Sequence, residues 1–257
     1  DEPAGKLEYL RNDAAQTRVH DVTTAEASLT LRYAPGESFV NSKQRRIPVS
    51  LDAPIFTLTH AMGFKGVLGG EYSFNRTEAS VWKRFWLPSS WGKIDCSIKA
   101  GAEWNTVPFP LLILPEANLS YITQRETFNL INNMEFLNDR FASVSLSYDM
   151  NGKLFNRIPL IKNLKWREMF RVRALWGTLT DKNNPFKSSN PDLFRFPMRD
   201  GKFTSFVMDP KIPYVEASVG IYNIFKLLHI EYVHRFTYRD NPGINKNGVR
   251  FMVLMAF

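Results

Sequence analysis

A single cysteine, Cys96, stands in 257 residues, so the chain can form neither an internal disulfide nor a cysteine metal cluster. It lies among apolar alternating positions and reads as a small hydrophobe. Histidine is scarce too: His20, His60, His229 and His234 are the complete set. No nucleophile-elbow, phosphate-loop or His-Glu-x-x-His spacing occurs. The longest apolar runs, such as residues 111–114, fall far short of the roughly 18 residues that a spanning helix needs. Asp181, Asp192, Asp200 and Asp209 lack the one-three-five spacing of a calcium loop and read as solvated charges. The net charge is +8, yet no basic run exceeds Lys43-Gln44-Arg45-Arg46 and no nucleic-acid motif accompanies it. These absences exclude a helical membrane protein. They also leave an enzyme, a metal, a cofactor and a nucleic-acid partner without support.

What the chain has in abundance is alternation. Period-two patterns predict about ten strands, over residues 27–34, 54–62, 71–87, 93–104, 127–136, 140–152, 166–180, 213–224, 227–236 and 248–257. Several exceed the usual globular length of about 5–6 residues and match the roughly 9–11 that cross a bilayer at a tilt. One face is aliphatic at mid-strand, with Val144, Leu146, Val172, Val219 and Ile230 as the candidate lipid-facing set. Barrel strands alternate in this way, which suits the mean hydropathy of −0.26. The fold expected is an all-β, antiparallel transmembrane β-barrel.

The final segment ends on an aromatic residue with no polar cap. Phe251, Val253, Met255 and Phe257 share one face after Gly248, resembling the C-terminal signal of bacterial outer-membrane barrels read by the barrel-assembly machinery. A flush apolar edge would invite pairing with another chain, and a closed barrel removes that edge. The chain opens at Asp1 with neither Met nor a signal-peptide core. The expectation is therefore a poorly structured segment over 1–25 and barrel strands over 26–257, the C-terminal part of a larger barrel. With residue 257 on the periplasmic side, ten strands place loops 35–52 and 181–211 outside the cell. The tight connection 223–226 and the longer segments 105–123 and 153–165 then lie at the periplasmic end, the last two folded against the inner wall or mouth.

The opposite face carries paired charges and hydroxyls. Arg171, Arg173, Arg235 and Arg250 interleave with Glu216, His229 and Glu231. Such a set either favours anions in a pore or fills a narrow lumen with salt bridges; the second reading is preferred, since inward charges need partners. A barrel-embedded hydrolase would pair His229 with Ser218 or Ser143, and a soluble lipocalin-like module would turn its apolar face inward around a ligand.

Several stretches resemble one family. They are residues 31–37 (Leu-Arg-Tyr-Ala-Pro-Gly-Glu), 60–69 (His-Ala-Met-Gly-Phe-Lys-Gly-Val-Leu-Gly) and 105–112 (Asn-Thr-Val-Pro-Phe-Pro-Leu-Leu). Residues 155–160, 164–168, 175–185 and the segment from Ile212 onward extend the likeness. Together they are similar to the C-terminal part of large Bacteroidota outer-membrane proteins with an N-terminal carboxypeptidase-regulatory-like domain, whose barrel region has unknown function. The resemblance implies a barrel in a Gram-negative outer membrane, with lipid, the assembly machinery and envelope proteins as candidate partners and a role in transport, export or envelope assembly. It implies no catalytic activity. The distantly similar BamA-type superfamily carries an Arg-Gly-aromatic triplet in its lumen loop, which does not occur here.

Overall fold

The computed structural model describes residues 9–41, 46–50, 52–124, 126–199 and 201–253. Nine strands make one sheet: β1 (Glu26–Tyr33), β2 (Ile55–Gly63), β3 (Phe74–Trp86), β4 (Lys93–Glu103), β5 (Arg140–Asp149), β6 (Arg167–Thr178), β7 (Tyr214–Ile224), β8 (Leu228–Arg235) and β9 (Asn247–Val253). Each pairs antiparallel with the next in sequence, giving an up-and-down meander with β1 and β9 at its edges. The chain is all-β and antiparallel; among the described residues the sheet is open. Met255 and Phe257 of the terminal signal lie outside the described residues.

The sheet is inverted relative to a globular domain. One row of cross-strand neighbours runs Phe85, Ile94, Tyr148, Phe170, Val219, Tyr232 and Val249, and Val172 lies beside Leu146 and Ala217 in the next. Of this apolar face, Val172 is 45% exposed and Val219 52%; Leu146 and Ile230 are exposed and Val144 half-buried. Alternation sends the intervening polar residues to the other face, where Arg173 is 2% exposed, Glu216 1% and Arg235 0%. A monomer in water rarely exposes more than a few hundred Å² of continuous apolar surface, since each large aliphatic side chain left wet forgoes about 1.5–3 kcal/mol.

Residues 127–136 are the exception to the predicted strands, and the reason lies in their backbone partners. The N–H groups of Asn129 and Leu130 donate to the Glu216 carboxylate at 2.9 and 3.0 Å. The Leu130 carbonyl accepts from Arg235, and the Asn129 carbonyl from Arg250. Charged side chains thus meet the needs that a neighbouring strand would otherwise meet, and the segment crosses the interior as irregular chain.

Losing that strand reverses the direction assigned to every strand before it. Segment 105–123, expected at the end where the chain finishes, instead joins loop 179–213 at the opposite end, and loop 34–54 moves to the end near Val253. Segment 153–165 and the turn 225–227 stay at the end near Val253.

Connectors 104–139 and 179–213 fold together over their end of the sheet. Phe74, Val107, Phe109, Leu112, Leu137, Leu179, Phe194 and Phe196 make one buried cluster. Phe128, Ile131, Phe136, Leu175, Met208 and Tyr214 make a second. The apolar segment 107–114 finds its cover here. Part of residues 1–25, read as poorly structured, is tied to the same plug: Tyr9–Leu10 pairs with Arg18–Val19, and the Tyr9 ring stacks on Phe194 at 5.2 Å between centroids. The Arg195 N–H donates to the Leu10 carbonyl at 2.8 Å.

Phe194→Ala should therefore release the 9–19 hairpin and leave a cavity, with a loss of about 3–5 kcal/mol. Urea unfolding in detergent, with limited proteolysis across 9–19, checks this. An unchanged midpoint and an intact hairpin would show that Phe194 is no anchor.

Candidate functional site

The chemistry of the chain is concentrated on the inner face, which divides into a salt-bridged half on β6, β7 and β8 and an open half on β3, β4 and β5. Strands β6, β7 and β8 supply the first half because Arg171, Arg173, Glu216, Glu231 and Arg235 fall on the inward parity of their strands. Arg173 Nη1 meets Glu216 Oε1 at 3.1 Å, and its Nη2 donates to the Gln124 carbonyl at 3.1 Å. Glu216 also accepts the Tyr214 hydroxyl at 2.9 Å. Its carboxylate thereby joins β6 and β7 to the plug.

Arg235 is the most enclosed cation. Its guanidinium grips Glu135 with two bonds, of 2.6 and 3.0 Å, and donates further to the carbonyls of Thr237, Tyr238 and Leu130. It also lies 4.8 Å from the centroid of the Tyr214 ring. Every donor has an acceptor, as a buried cation requires. Glu135 is held in turn by Asn132 N–H and Asn241 Nδ2.

Arg171 pairs with Glu231 at 2.8 Å. Ser218 Oγ donates to the same carboxylate in a short bond, and His229 Nε2 lies 3.3 Å from it. Serine and histidine therefore converge on Glu231 instead of forming a nucleophile–base pair, and the hydrolase reading finds no support in this geometry. Arg250, on β9, reaches across to the Asn129 carbonyl.

All seven residues of the predicted polar network thus lie on the inner face, and six are buried; Arg250 is half-exposed. Several partners were not singled out from sequence: Glu135, the backbone of 129–130, and Glu103, which accepts the N–H groups of Asn75 and Asn105 at 3.2 and 3.1 Å. Asp139 is another, taking the Thr180 hydroxyl and Asn183 Nδ2. The density of Asn and Glu within an apolar stretch at 129–139 is the signal that could have marked them.

The other half is a cavity of about 840 Å³ bordered by hydroxyls and ion pairs. Ser143, Ser145 and Ser147 form a row on β5, with Ser97 and Ser80 beside them. Lys99 bridges Glu116 and Glu126 at 3.0 and 2.8 Å, and Arg84 grips Asp95 at 2.6 Å. The loop aspartates are engaged elsewhere: Asp181 with Lys187, Asp192 with Arg11, and Asp209 with the Lys211 N–H. Asp200 lies outside the described residues.

Fold and inner wall together define an antiparallel β-meander protein with charged side chains buried on one face and apolar side chains exposed on the other. More particularly, the chain belongs to a family of unknown function (DUF5686), whose C-terminal domain matches residues 7–186. No curated protein matches the chain significantly.

Glu216→Gln keeps the shape of the anchor but leaves Arg173 without its counter-charge. Breaking a buried pair in this way should cost about 3–5 kcal/mol. The solvent-exposed pair probed by Lys187→Gln should matter by less than about 1 kcal/mol. Hydrogen exchange should accelerate at Asn129 and Leu130 in the first variant alone; equal protection in both would remove Glu216 from its anchoring role.

Proposed function

We propose that this chain is the wall and plug of an outer-membrane β-barrel in a Gram-negative cell, serving transport, export or envelope assembly. One observation carries the reading: seven neighbouring strands present a continuous apolar row outward, while Arg171, Arg173, Glu216, Glu231 and Arg235 of three of them are buried on the opposite face. Lipid is the medium that suits such a surface, and outer-membrane barrels have this distribution. On this reading residues 104–139 and 179–213 close the extracellular end, and the hydroxyl-lined cavity is an aqueous space within the lumen beside the salt-bridged wall. The paired state of Arg171, Arg173 and Arg235 favours a structural network over an anion pore.

The family match to a C-terminal domain fits a wall completed by further strands beside β1, whose residues are exposed on both faces. The terminal signal and the resemblance to Bacteroidota barrels supply the expected partners: lipid, the assembly machinery and other envelope proteins.

Arginine scanning tests the medium. Val172→Arg and Val219→Arg should each destabilise the vesicle-inserted protein by about 2–4 kcal/mol, while Ser145→Arg, facing the cavity, should change insertion little. Folding in phospholipid vesicles read by urea titration decides. A protein that stays monomeric without detergent and tolerates both valine replacements would instead be a soluble module.

A further inference from the structure

The two ends of the sheet differ in charge. At the plug end the connectors mix signs, with Glu71, Asp181, Asp192 and Asp240 among Lys65, Lys182, Lys187 and Lys246. At the other end, connectors 87–92, 150–166 and 225–227 hold Lys153, Arg157, Lys162, Lys165 and Lys226 without one Asp or Glu. Arg157, Lys162, Lys165 and Lys226 are exposed, and none has an acidic partner among the described residues. The fourth connector there, residues 34–54, carries two acids, the exposed Asp52 and Glu37; two bonds from Arg32 hold the Glu37 carboxyl below the usual range.

The same three connectors carry unusual apolar exposure. Leu160 is 83% exposed and Phe225 80%, with Ile158, Leu164 and Trp91 also exposed. Their position follows from Glu168. By alternation Glu168 shares the outward face of β6 with Phe170 and Val172, yet it is buried, because the chain folds back and donates the Phe155 N–H to it at 2.5 Å. Asn223 Nδ2 fixes the far side of this elbow on the Lys165 carbonyl at 2.7 Å. Helix α1 (Pro159–Leu164) therefore lies outside the wall, at the foot of the apolar band. Lys153 Nζ ties the elbow to the neighbouring connector, donating to the Ser89 carbonyl at 2.9 Å and lying 5.1 Å from the Trp91 ring centroid.

Apolar side chains at the foot of a hydrocarbon-facing band, interleaved with unpaired cations, match the boundary between acyl chains and phosphate headgroups. We propose that these connectors form a collar that binds anionic phospholipid of the leaflet at the chain's C-terminal end. This rests on the membrane reading above and adds a lipid class and a side. Leucine, isoleucine and phenylalanine enter the acyl region, while Arg157, Lys162, Lys165 and Lys226 take headgroup phosphates as point contacts.

The test uses the whole chain reconstituted in phosphatidylcholine bilayers with trace spin-labelled phosphatidylglycerol or phosphatidylcholine. The wild type should hold phosphatidylglycerol at its boundary in clear preference, weakening in high salt. Each cation removed should lower that preference up to about fivefold, so Arg157→Gln with Lys162→Gln, Lys165→Gln and Lys226→Gln should abolish it. Lys182→Gln with Lys187→Gln, at the plug end, should leave it unchanged. Equal retention of both lipids by an inserted wild type overturns the collar while leaving the barrel intact. Failure to insert in either lipid overturns both.

Discussion

A charge taken from water must meet an opposite charge and enough hydrogen-bond partners, and on this sheet that requirement organises everything else. The inward faces of β6, β7 and β8 bury Arg171, Arg173 and Arg235 together with Glu216 and Glu231. Two of the cations find carboxylates within the sheet, but Arg235 has to reach Glu135 in the plug. The surplus valences of Glu216 are met by plug backbone. Removing the plug would leave Arg235 without its partner and Glu216 half-coordinated. The plug in turn would lose the partners of its N–H groups at 129 and 130. Wall and plug are each incomplete alone.

This mutual need explains why the interior is so uneven. Against the plug, charges are paired, apolar rings pack into two clusters, and Arg235 excludes solvent altogether. On β3, β4 and β5 the same sheet faces a cavity with serines in place of arginines. A hydroxyl can satisfy itself with water and does not call a second segment inward, so the change from Arg on β6 to Ser on the facing positions of β5 leaves that side of the interior open.

Nine strands were legible in the sequence because alternation depends only on a residue's own parity. The inward direction of the charged set was legible for the same reason. The false strand at 127–136 shows the limit. Phe128, Leu130, Met134 and Phe136 share one parity and imitate a strand, while the carboxylate that takes up the local N–H groups stands 87 residues further on. No local pattern reports that. Glu135 escaped notice as the partner of Arg235 for the same reason, their separation being 100 residues. A miscount of one strand then moved the apolar segment 107–114 to the wrong end: its need for cover was readable, its location was not. The elbow at Glu168 was hidden too, since its outward parity in β6 gives no hint that the preceding loop folds back onto it.

The two sheet edges follow from the same count. In a meander of nine, β1 and β9 run in the same direction, so joining them directly would create a parallel pair in an otherwise antiparallel wall. The edge of β9 is already occupied from inside: Phe251 donates to the Tyr121 carbonyl and accepts from the Thr123 N–H, both at 2.9 Å. That contact is parallel and short, confined to one bridge at Ile122. The edge of β1 has no such cover among the described residues, and its side chains are exposed on both faces. On the membrane reading, unpaired backbone cannot face hydrocarbon, so an odd number of additional strands beside β1 is what restores both an even count and antiparallel closure. The last of them would meet β9 where Tyr121–Thr123 now sit, and closing the wall and holding the plug would then compete for one row of hydrogen bonds.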